Sequence, residues 1–193
     1  MRFSDKEYLE DWRDNGVFPK IHNDIYTLFG TTWMNDSVCD LCCSTGLLGQ
    51  RVKEGFGLDV CSIEGDLKWI ERGRKYGINI PCLNLYITER NLDTVAEWLE
   101  ANKVKGLLAR RCLSEIFGSD KAGNPLKEAK WDFAKVFTEM LVQVGIEEVW
   151  VEGRANQGRS VHPIPDTETE VACLASKYEI EERYRQCAYL VLK

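Results

Sequence analysis

Apolar positions along the chain change period several times. Short apolar runs predict strands over Val38–Leu41, Val60–Glu64, Ile78–Leu85, Lys105–Ala109 and Glu148–Glu152. Between and after them, apolar residues recur at helical spacing. The predicted helices are Leu47–Lys53, Leu67–Tyr76, Leu92–Ala101, a short turn at Leu113–Phe117, Leu126–Val144 and Thr167–Ser176. Two strand-like runs, Glu179–Tyr184 and Ala188–Leu192, close the chain. Only Arg185–Cys187 separate them, so they must be antiparallel neighbours. Five strand–helix repeats imply a parallel, doubly wound sheet with right-handed crossovers. The expected fold is therefore α/β, with a mostly parallel seven-stranded sheet that ends in an antiparallel hairpin.

Residues 1–36 carry no strand signal. Residues 4–13 read as a helix with Ser4 as N-cap, Glu7 as its capping-box partner, and Tyr8, Leu9 and Trp12 on one face. Pro19 breaks the chain. Asn23–Phe29 reads as a second short helix, with Gly30 as its stop. This leading segment is expected to pack over the edge or mouth of a domain spanning 37–193, the whole forming one globular unit. SDKAGNP at 119–125 and the stretch 153–166 read as loops.

Composition narrows the class. The hydrophobic fraction is 44%, yet no apolar run approaches the roughly 20 residues of a membrane span. The N-terminus is polar and acidic, unlike a secretory signal, so a cytoplasmic location is expected. Cys39, Cys61, Cys112, Cys173 and Cys187 lie in apolar runs and read as small core residues, and Cys82 in the third strand reads the same way. Cys39 and Cys42 have metal-site spacing without a second pair, so no metal is expected. The net charge of −6 argues against broad nucleic-acid binding, though not against a local basic patch.

Chemistry concentrates in SVCDLCCSTGLLG, residues 37–49. A buried strand carries the acid Asp40, a turn of small residues follows, and an apolar helix begins. Small side chains let a ligand approach the backbone, and a helix N-terminus offers free N–H groups. The dinucleotide register Gly-x-Gly-x-x-Gly would fall on Cys42, Ser44 and Leu47, with no glycine, which disfavours a nicotinamide enzyme.

This stretch resembles the first motif of the class I S-adenosylmethionine-dependent methyltransferases, acid-x-Gly-x-Gly-x-Gly. It would be carried by Asp40, Cys42, Ser44 and Gly46. A second signature, an acid ending strand two, would be Glu64, 24 positions after Asp40. Cys42 and Ser44 depart from the pattern, because glycine there tolerates positive φ and close backbone approach.

The resemblance implies S-adenosylmethionine as cofactor. Asp40 would attend the methionine end. The turn of Cys42, Ser44, Thr45 and Gly46 would line it, and Glu64 would accept both ribose hydroxyls. Asn84 or Leu85 would face adenine. Ala109, Arg110 and Arg111 would border the methyl group and substrate. Each residue also has a plainer reading: Asp40 as a turn or capping residue, Glu64 as a charge at the next helix N-terminus, Asp66 as that helix's cap, Asn84 as a turn former, and Arg110–Arg111 as a solvated pair.

The acceptor is not legible. An Asn/Asp-Pro-Pro-aromatic motif after strand four is replaced by Ala109-Arg110-Arg111-Cys112, which disfavours methylation of base amino groups. His162, with Arg154 and Arg159, is a candidate for holding an anionic substrate. Leading segments in this family often cover the cofactor, so the resemblance allows His22 to reach the active site, but a surface position is the favoured expectation. The expected activity is methyl transfer to a small molecule, protein or RNA; the alternative is a catalytically inactive methyltransferase-like protein that binds S-adenosylmethionine or regulates another.

Overall fold

A computed structural model describes residues 5–118, 130–153 and 167–193. Seven strands form one sheet: β1 (Ser37–Leu41), β2 (Asp59–Glu64), β3 (Cys82–Asn84), β4 (Gly106–Arg110), β5 (Glu148–Glu152), β6 (Tyr178–Tyr184) and β7 (Cys187–Leu192). Their order across the sheet is β3-β2-β1-β4-β5-β7-β6. The first five are parallel, and β7 runs antiparallel between β5 and β6. The chain reverses between β1 and β4, which leaves a crevice at their carboxyl ends, where open α/β sheets take ligands.

Strand side chains alternate between two apolar layers. Cys39, Leu41, Cys61, Ile63, Leu107, Ala109, Val149 and Val151 face one, covered by α5 (Leu92–Ala101), α6 (Leu113–Gly118) and α7 (Trp131–Gln143). Val38, Val60, Leu108 and Trp150 face the other, with α1 (Asp5–Asn15), α2 (Asn23–Thr32) and α3 (Leu47–Phe56). The remaining helices are α4 (Leu67–Lys75) and α8 (Thr167–Ala172).

The leading segment is part of the second layer. Leu9, Ile25, Leu28 and Phe29 are fully buried in it. Phe29 packs on Trp150 with ring centroids 4.6 Å apart, and Trp150 donates its indole N–H to Thr32 at 2.7 Å. Gly30 does not stop α2. The helix continues to Thr32, and Gly30 instead serves packing: α2 crosses the ring of Phe56 there, and a Cβ would press on it.

Several boundaries differ from the sequence reading. The third strand keeps only Cys82–Asn84. Pro81 has no N–H to donate, so it takes part only by accepting from Ser62 at 2.8 Å. The long helix is described over Trp131–Gln143; its expected start at 126 falls in residues 119–129, which lie outside the described residues, as does Ser4. The closing hairpin turns through Arg185 and Gln186, with Arg185 at φ 52° and Tyr184 paired to Cys187. Among the described residues no helix is long and apolar enough to cross a membrane.

Candidate functional site

The loop after β1 takes the conformation that its small residues suggest. Cys42, Ser44 and Gly46 have φ of 52°, 54° and 79°. All three therefore stand in the left-handed region, which costs an L-residue about 1–2 kcal/mol and costs glycine little. Gly46 is the N-cap of α3, and its C=O accepts from Gln50 N at 2.9 Å. Cys42→Gly and Ser44→Gly should each raise stability by about 1 kcal/mol in chemical denaturation, after the added entropy of the unfolded chain is subtracted. Losses of more than about 1 kcal/mol would show that the two side chains stabilise the turn.

A second element presses the turn into place. Gly73 of α4 lies directly against Thr45, and a Cβ there would collide with the Thr45 carbonyl oxygen. This glycine was not singled out from the sequence, although an isolated glycine inside a helical pattern is a packing signal. Gly73→Ala should destabilise the protein by about 1–3 kcal/mol, measured by thermal denaturation, because backbone must move to admit the methyl.

Two acids flank the turn. Asp40 shares the α3 face of β1 with Val38 and is 2% exposed. Its carboxylate accepts from Gly49 N at 2.9 Å, and the missing Cβ of Gly49 leaves room for that contact. Burial pushes the Asp40 carboxyl up to about 7, against the pull of the Gly49 N–H. Glu64, at the end of β2, accepts from Ser44 N at 2.7 Å through one oxygen and from Asp66 N at 2.8 Å through the other. Partial burial raises its pKa, while these two N–H groups oppose the rise. Asp66 caps α4 by accepting from Lys68 N at 3.0 Å.

At the end of β3, Asn84 donates to the carbonyls of Glu64 and Gly65 at 2.8 and 3.0 Å, tying β3 to the loop after β2. Leu85 packs against the α5 layer, and its N–H bonds the Glu64 carbonyl at 3.0 Å. Tyr86 lies against Gly65 and is 68% exposed. Ala109 is fully buried, so only its backbone reaches the crevice. Thr45 is buried and meets Gly73 through its carbonyl.

Arg110 and Arg111 are not a free solvated pair. Both bind Glu152, the strand partner of Arg110 at the end of β5, at 3.1 and 2.7 Å. Arg110 also donates to the Ile21 carbonyl at 3.3 Å. Arg111 turns through φ 58°, and its N–H bonds the Glu152 carbonyl at 2.8 Å. Burial raises the Glu152 pKa even beside the two guanidinium groups.

His22 corrects another expectation. It is buried rather than at the surface. Together with Pro19, Ile21, Asp40, Cys42 and Arg110 it lines a partly open space of about 70 Å³ beside the turn. Its Nδ1 has no hydrogen-bond partner. Burial holds the ring neutral, well below the usual histidine range, and Arg110, Arg51 and Arg111 reinforce this. The segment FPKIHNDIY has no regular period that would place His22 inward. His162, Arg154 and Arg159 lie outside the described residues. Cys82 also departs from its reading as core: it is half-buried, and it lines a second recess with Cys43, Ser62 and Arg74.

No protein-family profile and no curated protein sequence matches the chain. Solved structures do. A methyltransferase described as S-adenosylmethionine-dependent, from Anabaena variabilis, aligns over 97% of this chain and 93% of its own, at 10% identity and a TM-score of 0.62. One from Bacteroides fragilis, solved with S-adenosyl-L-homocysteine, aligns over 96% and 93%, at 11% identity and a TM-score of 0.56. The bifunctional kinase-methyltransferase WbdD aligns over 95% of this chain at 13% identity and a TM-score of 0.58, and this chain spans 42% of it. With the strand order, the reversed last strand and the crevice above β1, these likenesses establish that the chain has the class I methyltransferase fold.

Proposed function

We propose that the chain binds S-adenosylmethionine across the carboxyl ends of β1 and β2 and transfers its methyl group to an acceptor. The observation that carries this reading is the setting of Glu64. Backbone N–H groups of Ser44 and Asp66 hold its two oxygens. A carboxylate has about four acceptor positions, so Glu64 keeps acceptor capacity for a ribose hydroxyl beyond the backbone N–H groups of Ser44, Asp66 and Gly65. The N–H groups orient the carboxylate before any ligand arrives. The left-handed turn at Cys42, Ser44 and Gly46 supports the same reading, since it brings backbone close to the crevice.

The cofactor's sulfonium carries an electrophilic methyl group, so the protein's task is alignment of an acceptor nucleophile. Asp40 would offer its negative charge to the cationic amino-acid end. Asn84 and Leu85 would border adenine. A ligand of this size needs several hundred Å³. Its methionine end would therefore displace part of the Pro19–His22 cover. Arg110 and Arg111, held by Glu152, would orient the acceptor rather than exchange protons. Neutral His22 and Asp40, whose carboxyl is raised to about 7, line the same space and are both candidate proton acceptors there. The acceptor class is a small molecule, a protein or an RNA.

The test is transfer of tritium-labelled methyl from S-adenosylmethionine to size-fractionated cell extract. Protein-dependent label in one fraction supports the enzyme and names its acceptor class. Tight cofactor binding with no label in any fraction would favour a binding or regulatory protein that keeps the fold.

A further inference from the structure

The cysteines around the first turn are not scattered. Cys43 belongs to the turn itself, and its N–H bonds the Ile63 carbonyl of β2 at 3.2 Å. Cys82 opens β3 and is the strand partner of Ser62. These two connections bring the Cys43 and Cys82 thiols together in one recess, with the Ser62 hydroxyl beside them and Arg74 at its wall. Both residues are half-buried, so the recess is open to a small oxidant. The methyl-transfer chemistry uses neither thiol.

We propose that Cys43 and Cys82 form a redox site, in which a hydroperoxide oxidises the pair to a disulfide that ties the first turn to β3. The division of labour follows from the surroundings. The Cys43 thiol donates to the Ser44 carbonyl at 3.7 Å and stands beside Cys82 in the recess; with Ser62 and Arg74 this neighbour brings the Cys82 thiol down to about 7, against burial and the charge of Glu64, which favours Cys82 as the attacking sulfur. That same contact, with burial, holds Cys43 protonated. In contrast, Cys112, Cys173 and Cys187 are buried, and all three thiols are pushed up.

The steps balance. The Cys82 thiolate attacks hydrogen peroxide; an S–O bond forms, the O–O bond breaks, and the leaving hydroxide takes up the proton that Cys82 shed on ionising and becomes water, giving a sulfenic acid. The Cys43 sulfur then displaces that hydroxyl. An S–S bond forms, and the Cys43 proton departs with the hydroxyl as water. Two thiols have lost two electrons, and one peroxide has become two waters. The new bond draws Cys43 toward β3 and disturbs Ser44, whose N–H orients Glu64.

Brief exposure to hydrogen peroxide at neutral pH tests this directly. Intact mass should fall by two hydrogens, and a peptide map should link Cys43 to Cys82, reversed by dithiothreitol. Cys43→Ser should instead leave Cys82 as a sulfenic acid that dimedone traps; Cys82→Ser should give neither product. A disulfide between other cysteines, or unmodified Cys43 and Cys82 after oxidation elsewhere, overturns the proposal. These readouts need no cofactor and survive failure of the proposed function. The regulatory consequence rests on that function: oxidised protein should bind S-adenosylhomocysteine about tenfold more weakly than reduced protein, the size of one lost charge-assisted contact. Equal affinity of the two forms, with the disulfide mapped and binding present, refutes the regulatory role.

Discussion

Glu64→Ala should weaken binding of S-adenosylhomocysteine by roughly 2–3 kcal/mol, on the order of 30- to 150-fold. The carboxylate is oriented by Ser44 N and Asp66 N, so under the proposed function the ribose hydroxyls would meet a preorganised acceptor. Removing it loses both charge-assisted bonds and frees the turn that it ties down. Glu64→Gln separates the two effects. It retains one acceptor oxygen but turns an amide N–H toward a backbone N–H, so it should lie between wild type and alanine. Adenosine binding should weaken in parallel, because the ribose is common to both ligands. Affinity unchanged in Glu64→Ala would place the ribose elsewhere on the sheet.

Asp40→Asn should change the pH dependence of stability. The Asp40 carboxyl titrates near 7 in the folded protein because burial disfavours its charge, and near 3.9 when unfolded. Between those values the folded state binds more protons than the unfolded state, so this group's contribution falls as pH rises from about 4 to about 7, then stays level. The loss amounts to roughly 3–4 kcal/mol at most. Asparagine keeps an acceptor for Gly49 N and carries no charge at any pH. The variant should match wild type near pH 4 and exceed it by about 2–4 kcal/mol at pH 8, read by urea denaturation at each pH. Its cofactor affinity should nevertheless fall at pH 8, because the bound ammonium loses its anionic neighbour. A stability difference that is constant with pH would mean that Asp40 remains ionised throughout.

The two acids differ in degree rather than in sign: burial raises both carboxyls, Glu64 less because two backbone N–H groups hold it, and Asp40 up to about 7 with one such donor. Arg110 and Arg111 show a third arrangement, in which two cations share the buried Glu152. That edge carries a surplus positive charge while Arg110 and Arg111 stay in fixed positions, which suits orientation of an anionic or electron-rich acceptor.

Local patterns made the centre of the molecule legible. The strand, small-residue turn and helix at residues 37–56 follow from short-range sequence, and so do the acids at the ends of β1 and β2. The closing hairpin follows from two strand-like runs separated by only Arg185–Cys187, although the turn itself proves one residue shorter, because Cys187 pairs with Tyr184. Contacts distant in sequence were not legible. Glu152 meets Arg110 only because β4 and β5 are neighbours in register. Gly73 meets Thr45 only once α4 is laid on the sheet. His22 sits in a segment with no period, and its burial is decided by the docking of α2 against Trp150. The Ile78–Leu85 run misled because its apolar residues are real but Pro81 interrupts the ladder, leaving three residues as strand. Cys42 and Ser44 kept their meaning in another form: the backbone there has the positive φ that glycine would favour, although the residues are not glycine.

Calorimetric titration of S-adenosylhomocysteine into the protein tests the central claim most directly. Saturable one-to-one binding, weakened at least thirtyfold or so by Glu64→Ala, is the predicted result. Absence of heat at millimolar ligand, with the protein shown to be folded, would contradict it.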